Sequence, residues 1–319
     1  MEQDRYHLPL ATKLPPEIHF GTSSWTYRGW EGLVYHQHYK SEKSFTNDSL
    51  GEYVAFPWFR TVGIDSFFYA PPAPSRLAHY VEQLPSDFRW VSKAWEQITI
   101  PVFGRHPRYG ARAGKPNPDF LNADLFIEEV LSRFEEPAIS AHTGPFVFQF
   151  QAFPQADTER RGSFFERLDT FLAALPTTFR YATEVRNSEL LCGEYFGVLN
   201  RHRVTHCFNH WTNMPPLSAQ MKAAAQAGGL DADFFVARIL TPRGVSYQNA
   251  VKKFQPYREL KSPLPDMRRD VVRLAKRGVQ RGIPVYVLVN NRAEGHAPGT
   301  IADIGRSIVD ECGDWTYEG

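Results

Sequence analysis

Cysteine is scarce in this chain. Cys192, Cys207 and Cys312 are the only three in 319 residues, widely spaced and without a C-x-x-C pair. An odd, scattered set argues against a disulfide framework and for a reducing, cytoplasmic setting. Long apolar runs are missing too. No stretch approaches the roughly 18 residues of a membrane span, so no membrane partner is expected. Residues 1–16 are polar and contain proline, and they lack the apolar centre of a signal peptide. Residues 1–17 therefore read as a tail or strap ahead of one domain over 18–319. Charge of one sign is absent: 36 Lys and Arg face 35 Asp and Glu, for a net charge of +1. The field of the whole molecule thus recruits neither nucleic acid nor acidic membranes, and any attraction for anions must be local. No G-x-G-x-x-G follows the first strand candidate, which argues against a dinucleotide-binding Rossmann domain. There is no internal repeat and no low-complexity tract.

Aromatic residues are plentiful, at 24 Phe, 14 Tyr and 7 Trp. That suits a large packed interior or an aromatic-lined cleft, and composition does not separate the two. Short apolar or β-branched runs recur along the chain at 18–23, 61–66, 88–93, 146–150, 179–184, 203–208, 234–239 and 285–289. The last, VYVLV, is apolar at every position, as a strand covered on both faces should be. Helical patterns lie between them at 75–83, 121–134, 163–174, 189–199, 266–281 and 298–309. Sustained strand–helix alternation predicts a parallel sheet, and eight units predict a TIM-type (β/α)8 barrel rather than an open doubly wound sheet. Three long Pro- and Gly-containing segments, 101–118, 209–216 and 241–265, each follow a predicted strand and belong to its C-terminal face, where barrel enzymes work.

Nearly every predicted strand ends in a charged, amide or aromatic group. Glu184 and Arg186 are two apart, so their side chains share a face. Two readings stand side by side: a carboxylate acting as base or acceptor while Arg186 grips an anion, or a structural ion pair sealing the mouth. Lys93 ends an apolar strand. Pairing with Asp65 or Glu184, or clamping a substrate, is preferred over Schiff-base chemistry, because nothing in the sequence shows a depressed pKa. Asp65 is a metal ligand, a base or a turn cap. Asn290 and Asn291 orient a ligand or satisfy a tight turn. Trp25 and Tyr69 are expected to form an apolar wall, with Gln149 and Arg238 among the substrate-binding groups. His202, His206 and His210 recur every four residues, but the segment reads as a strand and H-E-x-x-H is absent, so they read as unrelated histidines. No metal site is assigned, although a divalent metal held by Asp65, Glu184 and a histidine is the arrangement to test. The 101–118 loop carries Arg105, Arg108, Arg112 and Lys115 and no acid. It is an anion-steering lid or, preferred, a solvated surface loop.

Several ordered blocks resemble one family. They are GTSSWTYRGW at 21–30, TVGIDSFFYAPP at 61–72, FRWVSKAWEQIT at 88–99, GPFVFQFQAFP at 144–154, YATEVRNSEL at 181–190 and VYVLVNNRAEGHAPGTIADI at 285–304. Together they are similar to the YecE-like family, domain of unknown function 72, over about residues 18–310. The resemblance implies a barrel of the triosephosphate-isomerase type with a pocket at its C-terminal mouth, and implies no reaction. The matched blocks contain Trp25, Lys93, Gln149, Glu184, Arg186, Asn290 and Asn291. The chain departs from the family at Gly63 and Asp65, where a Glu and an Asn are usual.

These residues support three functions. The first is an enzyme, hydrolase or isomerase in type, acting on a small polar or phosphorylated substrate. The second is a nucleic-acid-associated phosphodiesterase with the 101–118 loop on backbone phosphates, which predicts steep salt dependence. The third is a non-catalytic ligand-binding barrel. The sequence carries no sign of oligomeric state.

Overall fold

The computed structural model describes residues 6–153 and 158–315. Its eight strands are β1 (Ile18–Thr22), β2 (Thr61–Ile64), β3 (Arg89–Lys93), β4 (Thr143–Gln149), β5 (Tyr181–Glu184), β6 (Thr205–His210), β7 (Phe235–Ile239) and β8 (Val285–Val289). All are parallel, in the order β1-β8-β7-β6-β5-β4-β3-β2, with helices outside. This is the TIM-type α/β barrel the alternation predicts.

The seam between β1 and β2 closes by other means than a regular ladder. Arg60 N donates to Phe20 O at 2.8 Å. The Tyr53 hydroxyl bridges the two strands, accepting from Thr22 N at 2.9 Å and donating to Thr61 O at 3.0 Å. The strands approach so closely that a Cβ on Gly21 would lie 2.0 Å from the Thr61 carbonyl oxygen. Only glycine permits that approach.

Side chains alternate in and out along each strand. Val91, Val147, Ala182, Cys207, Val236, Tyr286 and Leu288 fill the barrel interior as one apolar cluster. Between barrel and helices the aromatics pack ring on ring. Phe126, for example, meets Phe146 edge-on at 5.8 Å and Phe148 at 5.0 Å. The high phenylalanine count therefore serves a packed interior.

Helices stand at all the expected places, with two differences. The 121–134 pattern is broken into an α-helix, Ala123–Glu129, and a 3-10 turn, Leu131–Phe134. Leu121 has a φ of 59°, which no helix start tolerates, and the Asn122 side chain caps the helix after it. Six α-helices lie where none was expected: Glu42–Asp48, Leu50–Ala55, Glu96–Thr99, Pro137–His142, Leu217–Gln226 and Tyr247–Phe254. Of the N-terminal segment, residues 1–5 lie outside the described residues. The rest is a strap. Trp58 Nε1 donates to Tyr6 O at 2.7 Å, and the Arg60 guanidinium donates to the carbonyls of Ala11, Leu14 and Pro15. Among the described residues no helix is long and apolar enough to cross a membrane.

Candidate active site at the barrel mouth

The last inward position of each strand carries a polar side chain. Two residues beyond the apolar layer on their strands stand Lys93, Gln149, Glu184, Asn209, Arg238 and Asn290, with Ser23 and Asp65 completing the ring. Alternation alone puts these residues on one level of one mouth, although they come from the whole length of the chain.

Arg238 is the hub of this ring. Its guanidinium is almost fully buried and reaches across the barrel, donating to Glu184 Oε2 at 2.6 Å and to both oxygens of Asp65 at 2.8 Å. The other Glu184 oxygen is ion-paired with Arg186. Burial lowers the proton affinity of Arg238, but Asp65 and Glu184 outweigh it and raise its pKa further. Burial likewise pushes the Glu184 carboxyl up, and Arg186 and Arg238 more than cancel this, so it stays below the usual carboxylate range. Glu184 is therefore an ionised carboxylate with an arginine at each oxygen, although its Oε1 accepts no hydrogen bond.

Arg186 has donors to spare. It stacks on the Trp211 ring at 4.2 Å and donates to Gln149 Oε1 at 3.3 Å. Its Nε and Nη1 are buried without a hydrogen-bond partner. Burial lowers the Arg186 pKa despite the Glu184 carboxylate. The Asn209 Oδ1 and Ser23 Oγ atoms are orphaned in the same way.

Lys93 makes neither of the expected pairs, because all the oxygens of Asp65 and Glu184 face arginines. Its ammonium lies 3.7 Å from the centroid of the Phe68 ring. Burial, with the like charges of Arg238 and Arg186, brings its pKa down to about 8 against the pull of Asp65 and Glu184.

The sequence profile of the family described as "Protein of unknown function DUF72" matches residues 19–312. The chain belongs to the DUF72 family. It is similar to a DUF72 family protein from Enterococcus faecalis, at 16% identity over 92% of this chain and 95% of that one, with a TM-score of 0.62. It is also similar to a DUF72 family protein from Thermotoga maritima, at 20% identity over 92% and 99%, with a TM-score of 0.59. Likeness at this identity concerns the fold. No functionally curated protein matches the sequence.

Of Gly63 and Asp65, only Asp65 stands in the ring of this DUF72 chain; Gly63 is in register with Val91 of the apolar layer beneath it. Gly63 leaves the inward position of β2 empty, with Leu288 Cδ1 only 3.0 Å from where a Cβ would stand. Asp65 is a full member of the ring through Arg238. Trp25 lies elsewhere, buried in the outer core edge-on to Tyr80 at 5.1 Å. Tyr69 is 60% exposed with the Arg108 guanidinium over its ring, so the apolar surface against Lys93 is its neighbour Phe68. Asn291 secures the turn: its Oδ1 accepts from Ala297 N at 2.8 Å and Trp30 Nε1 at 3.2 Å. Asn290 Oδ1 accepts from Arg292 N at 3.0 Å.

The 101–118 loop is largely solvated, with Arg105, Arg108, Arg112 and Lys115 all exposed, and it is anchored by its aromatic residues. Phe103, Tyr109 and Ile100 cluster with Phe68, so the loop backs the ring beside Lys93. Arg108 is paired with Glu96 at 2.6 Å, and Arg112 donates to Gln97 at 3.0 Å. The three histidines serve separate places. His202 meets Asp169 at 2.6 Å, His206 lies between Tyr195 and Gln220, and His210 contacts Thr241 O. Among the described residues no group of three or more His, Cys, Asp or Glu could hold a metal ion. Two residues of the mouth, Phe68 and Trp211, are not among those the sequence points to. Their signal was their position one to three residues past an inward polar residue.

Proposed function

We propose that the chain is an enzyme acting on a small anionic substrate, phosphorylated or carboxylated, at the C-terminal mouth of the barrel, with chemistry of the hydrolase or isomerase type. The observation that carries this reading is the Arg186 guanidinium, buried with Nε and Nη1 unpartnered. Leaving charged donors unpaired in a buried site costs free energy that a bound oxyanion recovers. Each of these charged N–H donors can bond an oxygen of a phosphate or carboxylate. Glu184 and Trp211 hold the guanidinium in place, and Gln149, Asn209 and Asn290 supply neutral polar groups at the same mouth.

The small-anion reading is preferred to nucleic acid because Arg108 and Arg112 of the 101–118 loop bond within the protein, leaving Arg105 and Lys115 as its exposed basic groups. A reducing, cytoplasmic setting goes with this reading, the three cysteines being free. The test is titration of the purified protein with inorganic phosphate and with pyruvate, followed by thermal shift and calorimetry. Either anion should raise the melting temperature of the wild type. Arg186→Lys, which keeps the charge but loses the planar guanidinium and its separate donors, should weaken binding about tenfold with an unchanged circular dichroism spectrum. Absence of any anion-dependent stabilisation of the wild type would overturn the reading.

A further inference from the structure

The ring and the adjoining Arg186 together contain two carboxylates and three cations, and the arginines face every carboxylate oxygen. Lys93 is left as the one cation of the ring with no ionic or hydrogen-bonded partner, pressed against the face of Phe68. Such an amine has two uses. As an ammonium it clamps an anion, and as a free amine it is a nucleophile. We propose that Lys93 is the nucleophile of the mouth and forms an imine with a carbonyl carbon of the substrate. This deepens the anionic-substrate reading, on which it rests: the substrate is a small aldehyde or ketone that also carries a phosphate or carboxylate, held by Arg186.

The placement favours the amine. An apolar ring covers one side of Lys93, and Arg186 and Arg238 oppose added positive charge. A lysine titrating at about 8 is unprotonated in about one molecule in ten at pH 7, whereas an ordinary lysine is so in about one in a few thousand. The step balances without a co-reactant. The neutral amine adds to the carbonyl carbon, and its two protons pass to the oxygen. The C–O bond then breaks and water leaves as the C=N bond forms. No oxidant or reductant is needed. The imine draws electrons from the neighbouring carbon, which suits isomerisation, dehydration or carbon–carbon bond cleavage.

The experiment is reductive trapping on the full chain. Glyoxylate serves as the anionic aldehyde and propanal as the uncharged one, with cyanoborohydride present and the modified residue mapped by mass spectrometry. Glyoxylate should label Lys93 at least tenfold faster than the exposed Lys252 and Lys253, with a rate rising through a pKa of about 8. Lys93→Arg should abolish the fast label, and Arg186→Lys should slow glyoxylate but not propanal. Labelling of Lys93 no faster than the surface lysines would overturn the proposal, even if phosphate binds and the anion reading stands. Fast labelling by both aldehydes, insensitive to Arg186→Lys, would support the imine and remove the anion reading.

Discussion

At the scale of single residues, the mouth turns on where each carboxylate oxygen goes. Glu184 is the point at which the two arginines meet, and it is fully buried. Removing its charge leaves two buried guanidiniums without their shared carboxylate. Breaking a buried pair from one side commonly costs about 3–5 kcal/mol. Glu184→Gln should therefore lower the unfolding free energy by about that amount at pH 7, measured by urea denaturation. A loss below about 1 kcal/mol would mean that water reaches the arginines and the ring is not closed. The same variant separates positioning from chemistry, since anion affinity should fall along with stability when Arg186 loses its anchor.

At the scale of elements, the strands were legible and several connections were not. A strand in a closed barrel is marked by its composition and by a polar residue at its last inward position, and both signals are local. All eight strands appear where the runs predicted, and the polar ring follows from period-two alternation. The helix Leu217–Gln226 shows why others escaped. Its buried face is Leu217, Gln220, Met221 and Ala224, a proper i, i+3, i+4, i+7 stripe. One of the four is glutamine, buried because it serves His206 and the backbone of Asn209. A polar residue buried for a distant partner hides a helix from any reading of hydrophobic periodicity. The pairings within the mouth were hidden likewise: Asp65 and Arg238 are 173 positions apart, and nothing local says that Arg238 rather than Lys93 takes the carboxylates. The β1–β2 seam is another contact of this kind, and it carries its own prediction. Tyr53→Phe removes the hydroxyl that joins Thr22 N to Thr61 O, leaving a buried donor and acceptor without that partner. The expected cost is about 1–3 kcal/mol of stability. Amide hydrogen exchange should rise at Thr22 more than at β5 or β6, and uniform exchange would show that the seam does not depend on the hydroxyl.

At the scale of the whole molecule, net charge is nearly zero, so pH acts through a few buried groups rather than through overall repulsion. His206 is fully buried between Tyr195 and Gln220, and burial brings its pKa down to about 4. His19, stacked on Tyr286 at 4.9 Å, is lowered by burial to about 4 as well. Both titrate near 6.5 when unfolded. Between those values the unfolded chain binds more protons than the folded one, so stability rises with pH across the window and is lost as pH falls from about 6.5 to 4. Each histidine contributes on the order of 3 kcal/mol to that loss when complete. Lys93 acts in the other pH range with the same sign. Its lowered pKa penalises the fold below about 8, and the penalty fades as pH rises toward about 10.4. Lys93→Met should thus stabilise the barrel at pH 7, by less at pH 10. Urea unfolding measured from pH 4.5 to 10 should show stability climbing steeply up to about 6.5, with a further rise above 8 that Lys93→Met removes. A His206→Gln variant should flatten only the acid limb. If stability is level between pH 7 and 5, the two histidines are protonated as readily in the fold as out of it, and water reaches even the buried His206.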